Sequence, residues 1–478
     1  MRSKLQKFTE FANTLLPHET THLLAIQQFD DKVKLSVLQR VHDNCSHITA
    51  HTAYDESIDK RKYSNLKTWI TERLNAIDVD QQFEWMNDME RQIMTDAIQP
   101  EEEKRLLKTI LHFPRYSFFF TKFYELVELY RHYLLIRMRY EDHQVANEFL
   151  KTHRDNYLQS KAVSEKIHEA TMDIVNQYSN SSAESIQWEQ WLTDVFYNES
   201  LDGLNRYLAL VRLTFMYYNY RRLEPVLEKY DYLDSLFKKG IYYSKRLLAN
   251  YYNNRLLLHS KFHEWDKAAY YGYLSVRSKN SDYLHYVNNL AAVLLRSKKY
   301  KEALQVMKEA YSEAKETKSF HSKIGFVAFY IKCLNYNQQY RSAENYGESF
   351  LSAYRREIFE YRWHLFFSAY LDALLQQKKY DKLIKAVKKY QLLQHDRQYE
   401  KKATYLPTIR WYHAIAEYKE SLLSFNDLTA TLLHPIAPTA SEPDRLPQLL
   451  DLLREVSGHI PEAYQAIQGK LFERGILQ

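Results

Sequence analysis

The sequence predicts an all-α protein: an α-solenoid of stacked helical hairpins with an additional helical region at its N-terminal side. Three observations predict it. Apolar residues recur at three- and four-residue steps along nearly all of the 478 residues, and no stretch alternates as a half-buried strand would. Glycine is scarce, with only 8 in the chain and none before Gly203. Tight turns and phosphate-cradling loops both lean on glycine, so its absence favours helix after helix and excludes P-loop and dinucleotide-binding folds. Finally, an aromatic motif returns at hairpin-sized intervals in the second half.

Composition bounds the rest. Hydrophobic residues make up 45% and charged residues 26%, enough to bury a core. Cys45 and Cys333 are the only cysteines, which is no disulfide framework. The opening MRSKLQKFTEFANTLL lacks an apolar signal-peptide core. The most apolar run, FFFTKFYELVELYRHYLLIRM, is interrupted by Lys122, Glu125, Glu128 and Arg131, so it reads as a buried helix and not a membrane span. The expectation is a cytoplasmic protein.

Residues 1–180 form the expected N-terminal all-helical region. Val79, Phe83, Met86, Ile93 and Ala97 share one helix face. Pro100 suits the first position of the next helix, with Glu101, Glu102 and Glu103 in the turn where carboxylates favour the dipole. Pro114 is expected to open another. Ser181 and Glu184 have capping-box spacing at the boundary of the region that follows.

Within residues 183–432 the segments HEWDKAA (263–269), KKYKEAL (298–304), QQYRSAE (338–344) and KKYDKLI (378–384) repeat one pattern. Its aromatic anchors are Trp265, Tyr300, Tyr340 and Tyr380, separated by 35, 40 and 40 residues; Tyr220 reads as a degenerate fifth. Ala268, Ala303 and Ala343 follow three residues later, where a small side chain lets two helix axes approach. The pattern resembles the tetratricopeptide repeat, a helix-turn-helix unit of about 34 residues. Residues 434–447 carry four of the ten prolines and read as a linker. The C-terminal helical tail, 448–478, has Leu449, Leu450, Leu452, Leu453 and Val456 on a short helix, expected to cap the last repeat.

Charge is uneven. Residues 201–400 hold 34 Lys and Arg against 20 Asp and Glu, together with 27 of the 41 tyrosines, whereas residues 1–200 hold 24 against 31.

Two features invite a chemical reading. His18-Glu19-Thr20-Thr21-His22 matches the zinc-protease H-E-x-x-H pattern, with Glu56 a conceivable third ligand. Pro17 makes His18 one of the first helical residues, a poor place for a preorganised metal, so the match is read as coincidence. His42, Cys45, His47 and His51 lack a partner motif at zinc spacing and are read as structural. No catalytic residue, metal ligand or cofactor is assigned.

The resemblance supplies the binding site. Tetratricopeptide proteins use asparagines on the first helix of each unit to bond a ligand's backbone along the concave surface. Asn254 and Asn289 each lie eleven residues before their anchors, with Asn253 and Asn288 beside them. Arg296, Lys332 and Tyr336 fall on the same expected face and suit a carboxylate-bearing partner. The expected function is therefore non-enzymatic: a scaffold binding a peptide or another protein of acidic character, with no membrane partner. The alternative is an RNA- or DNA-binding solenoid, prompted by the basic middle segment and the stripe of Lys378, Lys382, Lys385 and Lys389. A zinc hydrolase using His18, Glu19 and His22 is the remaining reading.

Overall fold

The computed structural model describes residues 4–48, 51–113, 117–180, 184–220, 222–400, 405–436, 445–474 and 476. The chain is all-α: it is 79% helical, with 25 α-helices packed against neighbours in sequence order, consistent with a solenoid, and no strand among the described residues. No helix among those residues is long and apolar enough to cross a membrane. The chain divides into two compact units, residues 1–262 with 273–278, and residues 263–272 with 279–478.

The first unit begins with α1 (Gln6–Ala12), α2 (Pro17–Ile26), α3 (Lys32–Ser46), α4 (Lys60–Ile77), α5 (Val79–Met94) and α6 (Pro100–Leu111). It continues through α7 (Phe120–Ile136), the long α8 (Tyr140–Asn180), α9 (Glu189–Tyr197), α10 (Gly203–Asn219), α11 (Glu224–Lys238) and α12 (Lys245–Lys261). Short polar side chains start several of them. Asp31 accepts from the N–H groups of Val33 and Lys34, Asp78 from Asp80 and Gln81, and Ser244 from Leu247. Each satisfies helix-start donors that would otherwise be orphaned. Pro100 opens α6 as expected, with its three glutamates in the first turn. Its core gathers Met89, Phe123, Val127, Tyr130 and Phe149 from α5, α7 and α8.

The 79–97 reading needs one correction. The helix stops at Met94 and Ala97 is exposed, because Asp96 turns left-handed at φ 53°. The expected starts at Pro114 and Ser181 lie outside the described residues, as does the linker's middle, 437–444.

In the second unit the helices alternate between a first and a second member. α13 (Trp265–Ser275) runs through the division between the units. There follow α14 (Tyr283–Arg296), α15 (Tyr300–Glu309), the short α16 (Tyr311–Glu316), α17 (Phe320–Tyr336), α18 (Tyr340–Tyr361), α19 (Trp363–Gln376) and α20 (Tyr380–Lys389). After α21 (Leu392–Tyr399) come α22 (Thr408–Lys419), α23 (Phe425–Leu433), α24 (Arg445–Val456) and α25 (Pro461–Glu473). The first helices α14, α17, α19 and α22 pack side by side as one layer, each also packing on its own second helix, α15, α18, α20 or α23.

All four anchors occupy one structural position, the first residue of a second helix. They do not plug the seam of their own pair alone. Tyr300 stacks on Tyr336 of the following first helix, ring centroids 5.0 Å apart, and Trp265 faces Arg296 at the equivalent place, 6.0 Å away. Ala268, Ala303, Ala343 and Leu383 are all fully buried at the helix contact. Tyr220 differs: it closes α10 as its C-cap and starts no helix.

The turn before each anchor explains the repeated motif. His263, Lys298, Gln338 and Lys378, the first residues of the four segments, are all left-handed, with φ of 58 to 61°. At Lys298, Gln338 and Lys378 the N–H bonds the carbonyl three residues back, and the next N–H bonds the carbonyl five back. This is the Schellman closure of a helix C-terminus, made here without glycine. The same closure occurs at Asp96, at Ser421 and at Met138, two residues before Tyr140. Tyr140 opens α8 after the same turn, but its side chain is exposed and it shares the turn without the packing of the four anchors. A further device ties neighbouring pairs. Asn337 donates to the carbonyl of Tyr300 at 2.8 Å, and Gln377, forty residues on, donates to that of Tyr340 at 3.3 Å.

Candidate interaction surface

Of the predicted binding residues, Asn253 and Asn254 stand on α12 of the first unit, and Asn288, Asn289, Arg296, Lys332 and Tyr336 belong to the second. Asn253 and Asn288 are buried. Asn254 is half-buried and donates to Asn250 at 3.0 Å. Asn289 is likewise half-buried and contacts His285 Nε2 at 3.3 Å.

The remaining three converge on one feature. Tyr336 Oη donates to Glu455 Oε1 at 2.7 Å, which places the carboxylate of α24 on the last turn of α17. Lys332, one turn back on α17, lies in the field of Glu455 and of Asp372 on α19. Burial pushes the Lys332 ammonium down from its ordinary value, against the pull of those two carboxylates, with Arg296 adding to the downward push. Burial likewise pushes Asp372 up to about 6, although Gln376 and Asn335 donate to it at 3.1 and 2.7 Å. Tyr412 of α22 shares this field and is raised well above its ordinary value by burial. Lys332, Asp372 and Gln376 are half-buried.

Glu455, Asp372 and Tyr412 were absent from the sequence reading. For Asp372 a signal existed: it lies forty residues after Lys332, at the same place relative to its anchor. Glu455 carried none, since nothing in a sequence says which array residue a tail carboxylate meets.

The histidine pattern has a structural account. His18 Nδ1 pairs with Tyr252 Oη at 2.6 Å and Nε2 with Asp234 at 2.7 Å, which occupies both ring nitrogens. Burial acts to raise Asp234, and bonds from His18 and Lys238 outweigh it, so the carboxyl sits far below its ordinary value. Glu19 accepts from the Leu16 N–H at 2.7 Å and from Tyr243 Oη at 2.5 Å, reaching back to the N-cap of α2; burial raises its carboxyl. His22 packs on Gly240, where φ is 75° and a Cβ would come within 2.5 Å of the imidazole. Metal binding by His18 would require one of these two bonds to break. His42 bonds Thr20 at 2.9 Å and His47 the Asp43 carbonyl at 2.8 Å, while burial pushes the Cys45 thiol up to about 12. No group of three or more His, Cys, Asp or Glu among the described residues could hold a metal ion.

The basic stripe is partly neutralised. Lys379 and Lys382 bracket the buried Glu344 at 2.5 and 2.6 Å, Lys382 also reaches Glu348, and Lys385 pairs with Asp381. Burial acts to raise the Glu344 carboxyl, and the two lysines more than offset it.

No protein-family model, curated protein or solved structure matches this chain.

Proposed function

We propose that this chain is a non-enzymatic interaction protein whose second unit binds an acidic peptide or protein segment along its layer of first helices. The helix pairing resembles that of tetratricopeptide proteins, which hold peptides on the corresponding face. The observation that carries the reading is the Tyr336–Glu455 bond beside Lys332: this face already engages a carboxylate on a helix. A hydrogen bond to a charged group is stronger than one between neutral groups. Arg296, exposed at the end of α14, extends the basic character of the same layer.

The nucleic-acid reading has less support. Phosphate contacts need uncommitted cations, and lysines of the stripe are tied to Glu344, Glu348 and Asp381. Two buried, unpaired thiols accord with a cytoplasmic setting.

The test is affinity purification from the source cells at two salt concentrations, with wild type compared against Arg296→Glu/Lys332→Glu. Retention of a protein set by wild type and its loss from the double variant is expected. Retention of the same set by both, or of nucleic acid alone, would reject the reading.

A further inference from the structure

The tail was expected to cap the array, and it does more than cover an end. α24 buries Leu449, Leu452, Leu453 and Val456, the i, i+3, i+4, i+7 stripe of an amphipathic helix. Its opposite face is solvated, with Asp451 and Arg454 paired at 2.8 Å and both largely exposed. Glu455, beside the stripe, makes the bond to Tyr336 of α17 and shares the field of Lys332, Asp372 and Tyr412, which come from three successive first helices. α25 then packs on α23, with Ala463, Ile467 and Leu471 buried. The two helices make separate contacts: α25 packs on the last hairpin, while Glu455 of α24 reaches the first-helix layer at Tyr336.

We propose that α24 is a resident occupant of the binding groove, and that the partner is an amphipathic helix of the same pattern: leucines at i, i+3, i+4 and i+7 with a carboxylate one residue before the last. The partner takes the place of α24, its carboxylate meeting Tyr336 and Lys332. This rests on the interaction reading above and adds the form of the partner, a helix in a groove and not an extended strand. The asymmetry in polarity supports exchange. The first-helix layer carries Asn335, a buried side chain whose Oδ1 has no hydrogen-bond partner. A permanently sealed core would be costly with such groups, whereas a surface that is periodically opened to water tolerates them. Because α24 is tethered, its effective concentration is on the order of millimolar, so a free helix competes only when it binds well or when α24 is weakened.

The experiment uses the full chain and a fluorescent synthetic peptide of residues 445–473. Anisotropy titrations compare wild type, Leu452→Ala/Leu453→Ala, and that double variant with Tyr336→Phe added. The alanine variant is expected to bind the peptide about tenfold tighter or more than wild type, and Tyr336→Phe to remove about tenfold of the gain. Circular dichroism confirms that the variants stay folded. Hydrogen exchange on the unaltered protein provides the second measurement, with α24 amides expected to exchange well ahead of those in α17 and α19. Equal peptide affinity in wild type and the alanine variant, or α24 amides protected to the level of α17, would overturn the proposal and leave α24 as a fixed cap. The two readings separate. Peptide exchange without any captured protein would sink the interaction reading alone. Capture of partners equally by wild type and the alanine variant would sink the resident-occupant inference alone.

Discussion

Replacing Lys298, Gln338 and Lys378 together by glycine should stabilise the second unit. All three have φ near 60°, where an L side chain crowds its own backbone, at a cost of roughly 1–2 kcal/mol each. Glycine removes that crowding but gives back about 0.4–1 kcal/mol through a freer unfolded chain. The net is about 0.5–1 kcal/mol per turn, or about 2 kcal/mol for the three. For a unit of about 200 residues this corresponds to a rise in Tm of about 4–8 °C. The turn hydrogen bonds are backbone to backbone, so none is lost. Differential scanning calorimetry is the assay. Lys301→Gly supplies a control of opposite sign: it sits exposed in α15, one residue past Tyr300, and should cost about 1 kcal/mol. A triple variant that melts at or below the wild-type temperature would refute the common left-handed turn, and with it the equivalence of the repeats.

Other substitutions probe the remaining contacts. Gly347→Ala places a Cβ 2.8 Å from the ring of the buried Tyr370; after the helix-propensity gain of about 1 kcal/mol, a net loss of about 1–2 kcal/mol is expected from thermal melts. Asp234→Ala should destabilise the first unit by about 2–4 kcal/mol, because it leaves His18 and Tyr251 without their acceptor. The Asp234 carboxyl is depressed on folding, so its contribution is present above the unfolded pKa near 4 and is lost as pH falls towards the folded value. Asp372 has the reverse sign. Its folded pKa is pushed up to about 6, so its contribution is fully present below about pH 4 and is lost as pH rises through about 6. Denaturant melts of Asp372→Asn between pH 4 and 7 should therefore flatten that decline relative to wild type.

The second unit was more legible than the first. Trp265, Tyr300, Tyr340 and Tyr380 mark the starts of second helices, where Trp265 and Tyr300 meet the next first helix, and they recur at 35 to 40 residues. Tyr140 follows the same left-handed turn at the start of α8, but its side chain is exposed and His143 stands where the other segments place alanine or leucine. Scarce glycine pointed correctly to helices, and most of the left-handed turns between them are made without it. Lysine, glutamine, methionine and aspartate fill them, since the surrounding helices over-determine the geometry. In the candidate site, Arg296, Lys332 and Tyr336 came from the resemblance, and the structure sets them on α14 and α17 of the first-helix layer. The burial of Asn253 and Asn288 was not legible, because a one-residue step around a helix turns an exposed side chain into a packed one.

The most direct measurement is photo-crosslinking in the source cells with a benzophenone amino acid at position 296, on the first-helix layer, and at position 385, on α20 of a second helix. Adducts to a discrete protein from position 296 and none from 385 are the expected result. Adducts from 385 alone, or to nucleic acid, would contradict binding along the first helices.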